Sequence, residues 1–296
     1  MTPGISAVII TLNEEKNIAN AILSVKLWVQ EVIVVDMMSD DGTVGIARSL
    51  GARLYEHPRV GFVEPARAAA VSYATGPWVL ILDADEMIPL SLSNELVRIA
   101  AADSADVCRL PRLNYILGQP MPHGLHGPER DSQVRFFKKG SLVFSNRIHS
   151  YPAPVPGARV HQVRYVPHGA IRHFHAANAF QLIEKLNRYT DTEAEQRTAA
   201  SRRGARWRLV VLPPMVIFRS YIIAGGWRDG WRGFFWAWLM GFYQLAKEAK
   251  HLQLTEQVPN PPHDMPYCDE ARQIALEYET NSGPPKDRAL SMVDTL

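Results

Sequence analysis

Hydrophobic and polar positions alternate in blocks along the first hundred residues. Residues 5–12 (ISAVIITL) form a short β-branched run, and residues 31–37 (EVIVVDM) and 78–85 (WVLILDAD) repeat it. Short unbroken apolar runs bounded by turn signals predict strands buried on both faces. Between them, NEEKNIANAILSVKLW has helical periodicity, with its acids expected in the first turn. SDDGTVGIARSLG predicts a turn, a helix and a closing glycine at Gly51. ARLYEH reads as a third strand, and PARAAAVSYATG as a helix ended by Gly76. Strands alternating with helices predict right-handed βαβ units around a mostly parallel sheet, an α/β fold. Ligands of such sheets bind beyond the carboxyl ends of the strands. The polar groups there are Thr11, Asn13 and Glu14, then Asp36 and Ser39, then Asp83 and Asp85, and all should gather on one edge.

The texture changes from about residue 106. DVCRLPRLNYILG and DSQVRFFKKGSLVFSNRIH predict strands of a mixed or antiparallel region. AFQLIEKLNRYTDTEAEQRTAA predicts an amphipathic helix. Residues 201–254 are rich in arginine and tryptophan, and residues 255–296 form a Pro-rich, polar tail. The expected organisation is a catalytic domain over 1–200, with halves 1–105 and 106–200, then the Arg/Trp-rich helical region and the tail.

Composition narrows the classes. With 296 residues and 47% hydrophobic content, a substantial core is expected and global disorder is not. A formal net charge of +2 gives no argument for nucleic acid. The two cysteines, Cys108 and Cys268, have no metal-ligand spacing and fit a reducing compartment. No basic n-region precedes the first apolar run, so no secretory signal is expected. No apolar stretch reaches the roughly 18–20 residues of a spanning helix.

The chemistry concentrates in VLILDADEMI, where a buried run ends in Asp83, Asp85 and Glu86. Crowded carboxylates raise one another's pKa. On an extended chain Asp83 and Asp85 share a side, and two hard oxygen donors there suit Mg2+ or Mn2+, which keeps both acids ionised. The bland alternative is a solvated turn with a capping aspartate. Asp36 ends another strand and can accept hydrogen bonds from a nucleobase or ribose, with Ser39 and Asp41 nearby in SDDGT.

Taken in order, TLNEE, VVDMMSDDGT, the basic residue of ARAAA and LDADE resemble the nucleotide-sugar half of family 2 glycosyltransferases. RLNYILG, DSQVRFF, RIH, RHFH and EKLNRYT resemble the branch of lipopolysaccharide-core and exopolysaccharide glucosyltransferases, so the likeness spans about residues 5–250. The implied fold is GT-A, a Rossmann-like nucleotide-sugar-binding domain. The implied donor is a nucleotide sugar, with UDP first in line. The resemblance implies that Asp36 reads the base, Asp83 meets the ribose or the metal, and Asp85 holds the metal. Thr11, Asn13 and Glu14 flank the nucleoside, and Arg67 lies near phosphates or base. Ala68 stands where the family often has Asn.

Transfer with inversion needs a base for the acceptor hydroxyl. In ERDSQVRFF an extended chain places Asp131, Gln133 and Arg135 on one face and Val134 and Phe136 on the other. That alternation alone reads as a half-exposed edge strand. The resemblance assigns Asp131 the base position, with Glu129 as local competitor and Gln133 and Arg135 shaping the pocket. His149 in NRIHS is a further metal ligand or diphosphate contact, followed by Ser150 where the family commonly has an acid. His173 and His175 of RHFH share one side of a strand. Lys185 and Arg188, about one turn apart, can meet phosphate or can form a solvated helix face. Glu86 either touches the acceptor side or begins the next turn.

Between Arg202 and Arg232 lie seven arginines and a single acid, Asp229, and five of the seven tryptophans fall nearby. The apolar pieces are too short to span a bilayer, and the first contains Pro213 and Pro214. Arginine beside tryptophan-rich, short apolar segments fits an element lying in an anionic membrane interface. The alternatives are a buried helical hairpin and a dimer contact. No RNA-binding module accompanies the arginines. The expected enzyme is a metal-dependent inverting hexosyltransferase. It serves a lipid-linked or lipopolysaccharide-type acceptor on the cytoplasmic face of the membrane. A sugar nucleotidyltransferase would open with a glycine-rich phosphate loop, which TLNEE is not, and a catalytically silent membrane scaffold would not need its acids intact.

Overall fold

The computed structural model describes residues 4–59, 64–144, 152–200, 204–256, 272–274 and 276. The β-branched runs become β1 (Ile5–Thr11), β2 (Glu31–Asp36) and β4 (Trp78–Asp83), and β3 (Arg53–Glu56) joins them; all four are parallel. The chain continues through β5 (Glu86–Met87), β6 (Val107–Ile116), β7 (Gln119–Pro120) and β8 (Ser132–Lys138). Then come β9 (Leu142–Val143), β10 (Ala153–Pro154), β11 (Val160–Gln162) and β12 (Ile171–Ala176). The main sheet runs β3-β2-β1-β4-β8-β6-β12-β5, with β7 and β11 also on β6, while β9 and β10 pair separately. Register sets Thr11 opposite Asp36 and Ile10 opposite Asp83, so the carboxyl ends are level.

Helices cover both faces. Ile18 and Ile22 of α1 (Ile18–Val25) and Leu92 and Leu96 of α4 (Leu90–Ala102) pack with Ile9 and Leu80. α2 (Thr43–Ser49) adds Ala47 to this layer. Ala66 and Ala70 of α3 (Glu64–Ser72) lie against Val8 and Ile33 on the other face. Burying each large aliphatic side chain here is worth about 1.5–3 kcal/mol. Gly76, well beyond the end of α3, is required because a Cβ there would stand 2.7 Å from the Gly4 carbonyl oxygen. Two local expectations change. The first turn of α1 holds no acid, because Glu14 and Glu15 lie in the turn before it. β8 is no half-exposed edge strand: it runs antiparallel between β4 and β6, with Gln133, Val134, Arg135 and Phe136 all buried.

α5 (Ala179–Ala199), α6 (Trp207–Phe218) and α7 (Gly230–Thr255) complete the chain's described helices apart from short turns. Leu182 and Leu186 of α5 meet Trp236 and Leu239 of α7 over Ile116 and Met121. α6 runs through Pro213 and Pro214, and none of its residues is buried. It crosses α7 closely: a Cβ on Gly241 would meet Ile217 at 2.5 Å. Among the described residues no single helix is long and apolar enough to cross a membrane; the segments 207–223 and 226–255 bend by 74°. Residues 1–252 form one compact unit and 253–296 another, so the sheet and these helices belong together in the first.

Candidate active site

The loops after β1 and β2 are zipped together. Asn13, in the left-handed region at φ 55°, receives the Asp40 amide on its side-chain oxygen at 2.8 Å. Its own amide donates to Ser39 Oγ at 2.8 Å, and Ser39 donates amide and hydroxyl to Asp36 at 2.8 and 2.6 Å. The Glu15 amide reaches Asp41 at 3.2 Å, and the Glu14 amide reaches Thr43 at 2.8 Å. Asn13, Ser39, Asp36 and Asp41 therefore hold one another in a rigid frame. Thr11 differs. Its hydroxyl is buried without a partner, as is Nε of Arg67, and both residues border the same cavity. Orphaned buried polar atoms facing a cavity mark where a polar ligand belongs.

The acids that end β4 separate. The chain turns at Ala84 and Asp85, so the extended-chain argument for a shared side fails. Asp83 is claimed by Arg135 through both oxygens and by Arg67 at 3.4 Å. Burial alone would raise its pKa, but the two guanidinium groups override this and hold it well below the usual carboxylate range. Asp85 faces His173 Nε2 at 3.5 Å and Lys185 Nζ at 3.8 Å. Again burial raises its pKa, while His173 and Lys185 beside it lower it, for a net depression. Glu86, expected on the acceptor side or in a turn, does neither: it is fully buried and binds Arg135 at 2.9 Å and Arg112 at 3.5 Å. Arg135 is accordingly a buried tie between β8 and the acids.

Asp131, just before β8, is encircled. It accepts from Arg112 Nε at 3.0 Å, Asn114 Nδ2 at 2.8 Å and Gln133 Nε2 at 2.6 Å. Burial opposes ionisation, but Arg112 and the two amides outweigh it, and the pKa falls below its ordinary value. Glu129 is exposed. Asn114 is the hub that the sequence did not single out. Its Nδ2 donates to Asp131 and to the His126 carbonyl, so its Oδ1 accepts from His173 Nδ1 at 2.6 Å. In neutral His173 that bond leaves the Nε2 lone pair aimed at Asp85. His126 in turn accepts from Trp236 Nε1 at 3.0 Å, which ties α7 to the site. His175 packs edge-on to Trp236 and His173, and burial with His173 and Lys185 nearby keeps it neutral. Arg112 and Asn114 alternate along β6 as strand partners should, the one sequence signal that marks them; His126 and Trp236 had none.

Two cavities meet at these groups. One of about 690 Å³ runs from Thr11, Arg67 and Asp83 past Asp131 to Trp236 and Met240. The other, of about 1120 Å³, is bounded by Asn13, Lys16, Asn20 and Tyr115. Glu14, Asp85, His175, Lys185 and Arg188 face both. Burial raises the pKa of Glu14, with Asp85 adding to it, against the hydrogen bond from Asn17. His149 lies outside the described residues. Among the described residues no cluster of three or more His, Cys, Asp or Glu is placed to hold a metal ion. The donors present fit a dication that takes few protein ligands: Asp85 with His173 Nε2, but not Asp83, whose oxygens serve arginine.

Comparison with known proteins bears on this geometry. The model of glycosyl transferase family 2 matches residues 6–150. An uncharacterized glycosyltransferase of Rickettsia felis is 30% identical over 258 residues, 83% of this chain and 88% of the relative. The chain belongs to glycosyltransferase family 2. Its sheet and flanking helices are the GT-A arrangement of that family. The lipopolysaccharide core biosynthesis glycosyltransferase LpsC of Rhizobium meliloti is 28% identical, over 84% of this chain and 92% of LpsC. Glucosyl-3-phosphoglycerate synthase from Mycobacterium tuberculosis, solved with Mn2+ and UDP-glucose, overlaps at a TM-score of 0.42 and 19% identity, over 68% of this chain and 80% of that one. The family match ends at residue 150, so the α5 and α7 walls of the site lie beyond it.

Proposed function

We propose that this glycosyltransferase moves a sugar, with inversion, from a nucleoside diphosphate to a lipid-linked or lipopolysaccharide-type glycan at the cytoplasmic face of the membrane. The observation that carries the reading is the single cavity joining Thr11, Arg67 and Asp83 to Asp131 and then to α7. The likeness to LpsC supports the acceptor class. Thr11 and Arg67 offer unfilled hydrogen bonds to the nucleoside and its phosphates. Asp131 takes the proton of the acceptor hydroxyl. The hydroxyl oxygen bonds to the anomeric carbon from the side opposite the diphosphate, and the bond from that carbon to the diphosphate oxygen breaks. Lys185 and Arg188, facing both cavities, oppose the charge that develops on the leaving group. Asp85 with His173 would hold Mg2+ or Mn2+, which would further neutralise the charge on the diphosphate.

The outer side of α6 and α7 supports a membrane surface as partner. Trp207, Phe218, Trp227, Trp231 and Trp238 are each more than half exposed. Aromatics of this kind sit at headgroup depth, and the neighbouring arginines suit anionic lipid.

The test is a panel of nucleotide sugars, UDP-sugars first, scored by melting temperature with and without Mn2+ and then by transfer. One donor should raise the melting temperature, more so with metal, and support transfer. If no nucleotide sugar shifts it or reacts, the reading is wrong.

A further inference from the structure

Asp229 stands out by composition: it is the single acid among the arginines of residues 202–232. It lies just before α7, where an aspartate is expected to cap the helix by accepting an amide of its first turn. Its carboxylate instead accepts the backbone amide of His123 at 3.2 Å, 106 residues away along the chain. His123 belongs to the loop 121–131, which joins β7 to β8 and carries Asp131 at its end. That loop has no helix or strand of its own, so its contacts decide where it sits. Two more of them reach the turn between α6 and α7. The Gly124 amide donates to the Ala224 carbonyl at 3.2 Å, and Arg130 Nη1 reaches the same oxygen at 3.5 Å. The turn is itself tightly built. A Cβ on Gly226 would stand 2.7 Å from the Ser220 carbonyl oxygen, and one on Gly233 would collide with the carbonyl oxygen of Gly226. On its inner side the loop closes onto the reacting centre. The Asp131 amide donates to the Gly127 carbonyl at 2.9 Å. The His126 carbonyl accepts from Asn114 Nδ2, and the same nitrogen donates to the Asp131 carboxylate, both at 2.8 Å.

We propose that Asp229 is a positioning residue for Asp131, acting through the loop 121–131 and its bond to Asn114. The proposal rests on the reading of Asp131 as the base. It makes the turn between α6 and α7, which lies beyond the family match, a support of the reacting centre. A base displaced by about 1 Å can lose up to about 10²-fold in rate, so a strut at this distance has a measurable effect. A clamp that served stability alone would cost activity whether or not a base stood at residue 131.

The experiment uses the full chain with the donor that the melting panel selects. Asp229→Ala should lower kcat about tenfold and leave both the KM for the donor and the donor-induced melting shift as in wild type. Asp229→Asn, which keeps an oxygen to receive the His123 amide, should hold kcat within about twofold of wild type. Trp236→Phe, which removes the bond to His126 from the other side of the loop, should also lower kcat. In an Asp131→Asn background Asp229→Ala should cost nothing further, because the residue acts through the base. Hydrogen exchange reads the strut without a substrate. The amides of residues 121–131 should exchange about tenfold faster in Asp229→Ala, and those of β1 and β2 at the wild-type rate. Melting temperatures confirm that each variant folds. A folded Asp229→Ala protein with wild-type kcat overturns the positioning role. So does a fall that persists undiminished in the Asp131→Asn background, and so does unchanged exchange of the loop. A fully active Asp131→Asn protein would overturn the reading of the base instead. Loss in Asp131→Asn with none in Asp229→Ala would place the failure on the positioning role alone.

Discussion

Asp131, the proposed base, is under restraint. Its carboxylate accepts from Arg112, Asn114 and Gln133, and each of those bonds favours the ionised form. The consequence for pH has a definite sign. The folded pKa lies below the unfolded value of about 3.9, so this group contributes stability that is full above about pH 4 and is lost as pH falls through the folded value. Activity should follow. With Asp131 as base, kcat should stay level as pH falls from about 7 to 5, and an acid limb within that range would assign the proton to another group. Asp131→Asn should lower kcat by roughly 10²–10⁴-fold and leave the donor-induced melting shift in place. Asp85 carries a separate expectation. Asp85→Asn should weaken Mn2+ binding by equilibrium dialysis, whereas His173→Gln, which removes the second donor, should weaken it less.

Between elements, the tie that matters most is Arg135 on β8 with Asp83 and Glu86 on the turn after β4. Glu86 is wholly buried and is shared with Arg112 of β6, so three strand segments depend on one carboxylate. Removing one partner of a buried ion pair strands the other charge, at a cost of about 3–5 kcal/mol. Glu86→Gln should show a loss approaching that size in urea denaturation, with little change in the slope m. A loss below about 1 kcal/mol would mean that water reaches Arg135. This tie also shows what the sequence concealed. The β-branched runs of β1, β2 and β4 announce buried parallel strands, and the acids at their ends announce a ligand edge, because both signals are local. β8 carries the alternation of an edge strand, and what buries Gln133 and Arg135 is Asp131 next door and two acids about fifty residues away. The separation of Asp83 from Asp85 was hidden for a similar reason, since the turn at Ala84 is set by pairing of Glu86 with His173 across β5 and β12. Asn114, His126 and Trp236 come from three distant segments, and nothing in any one of them reports the others.

For the whole molecule, the proposed lipid-linked acceptor raises the question of how a chain without a spanning helix among its described residues stays near a membrane. The exposed surface of α6, α7 and the turns between them combines two sources of attraction. Trp227, Trp231, Trp238 and Phe242 are each more than half exposed, and burying them in the headgroup layer is insensitive to salt. Arg219 and Arg228, also exposed, add about 1 kcal/mol each on an anionic surface, and that part is screened over a Debye length of about 8 Å at physiological salt. The two contributions can therefore be pulled apart. Replacing both arginines by serine should cost about 2 kcal/mol, or roughly thirtyfold in affinity for vesicles containing anionic lipid, as read by co-sedimentation. The same protein should bind neutral vesicles as weakly as wild type does. Raising salt should bring wild type towards the doubly substituted protein, while Trp231→Ser with Trp238→Ser should weaken binding at every salt concentration. If anionic lipid makes no difference to wild type, the arginines do not face a membrane, and the aromatic surface belongs instead to a protein partner or a second copy of the chain.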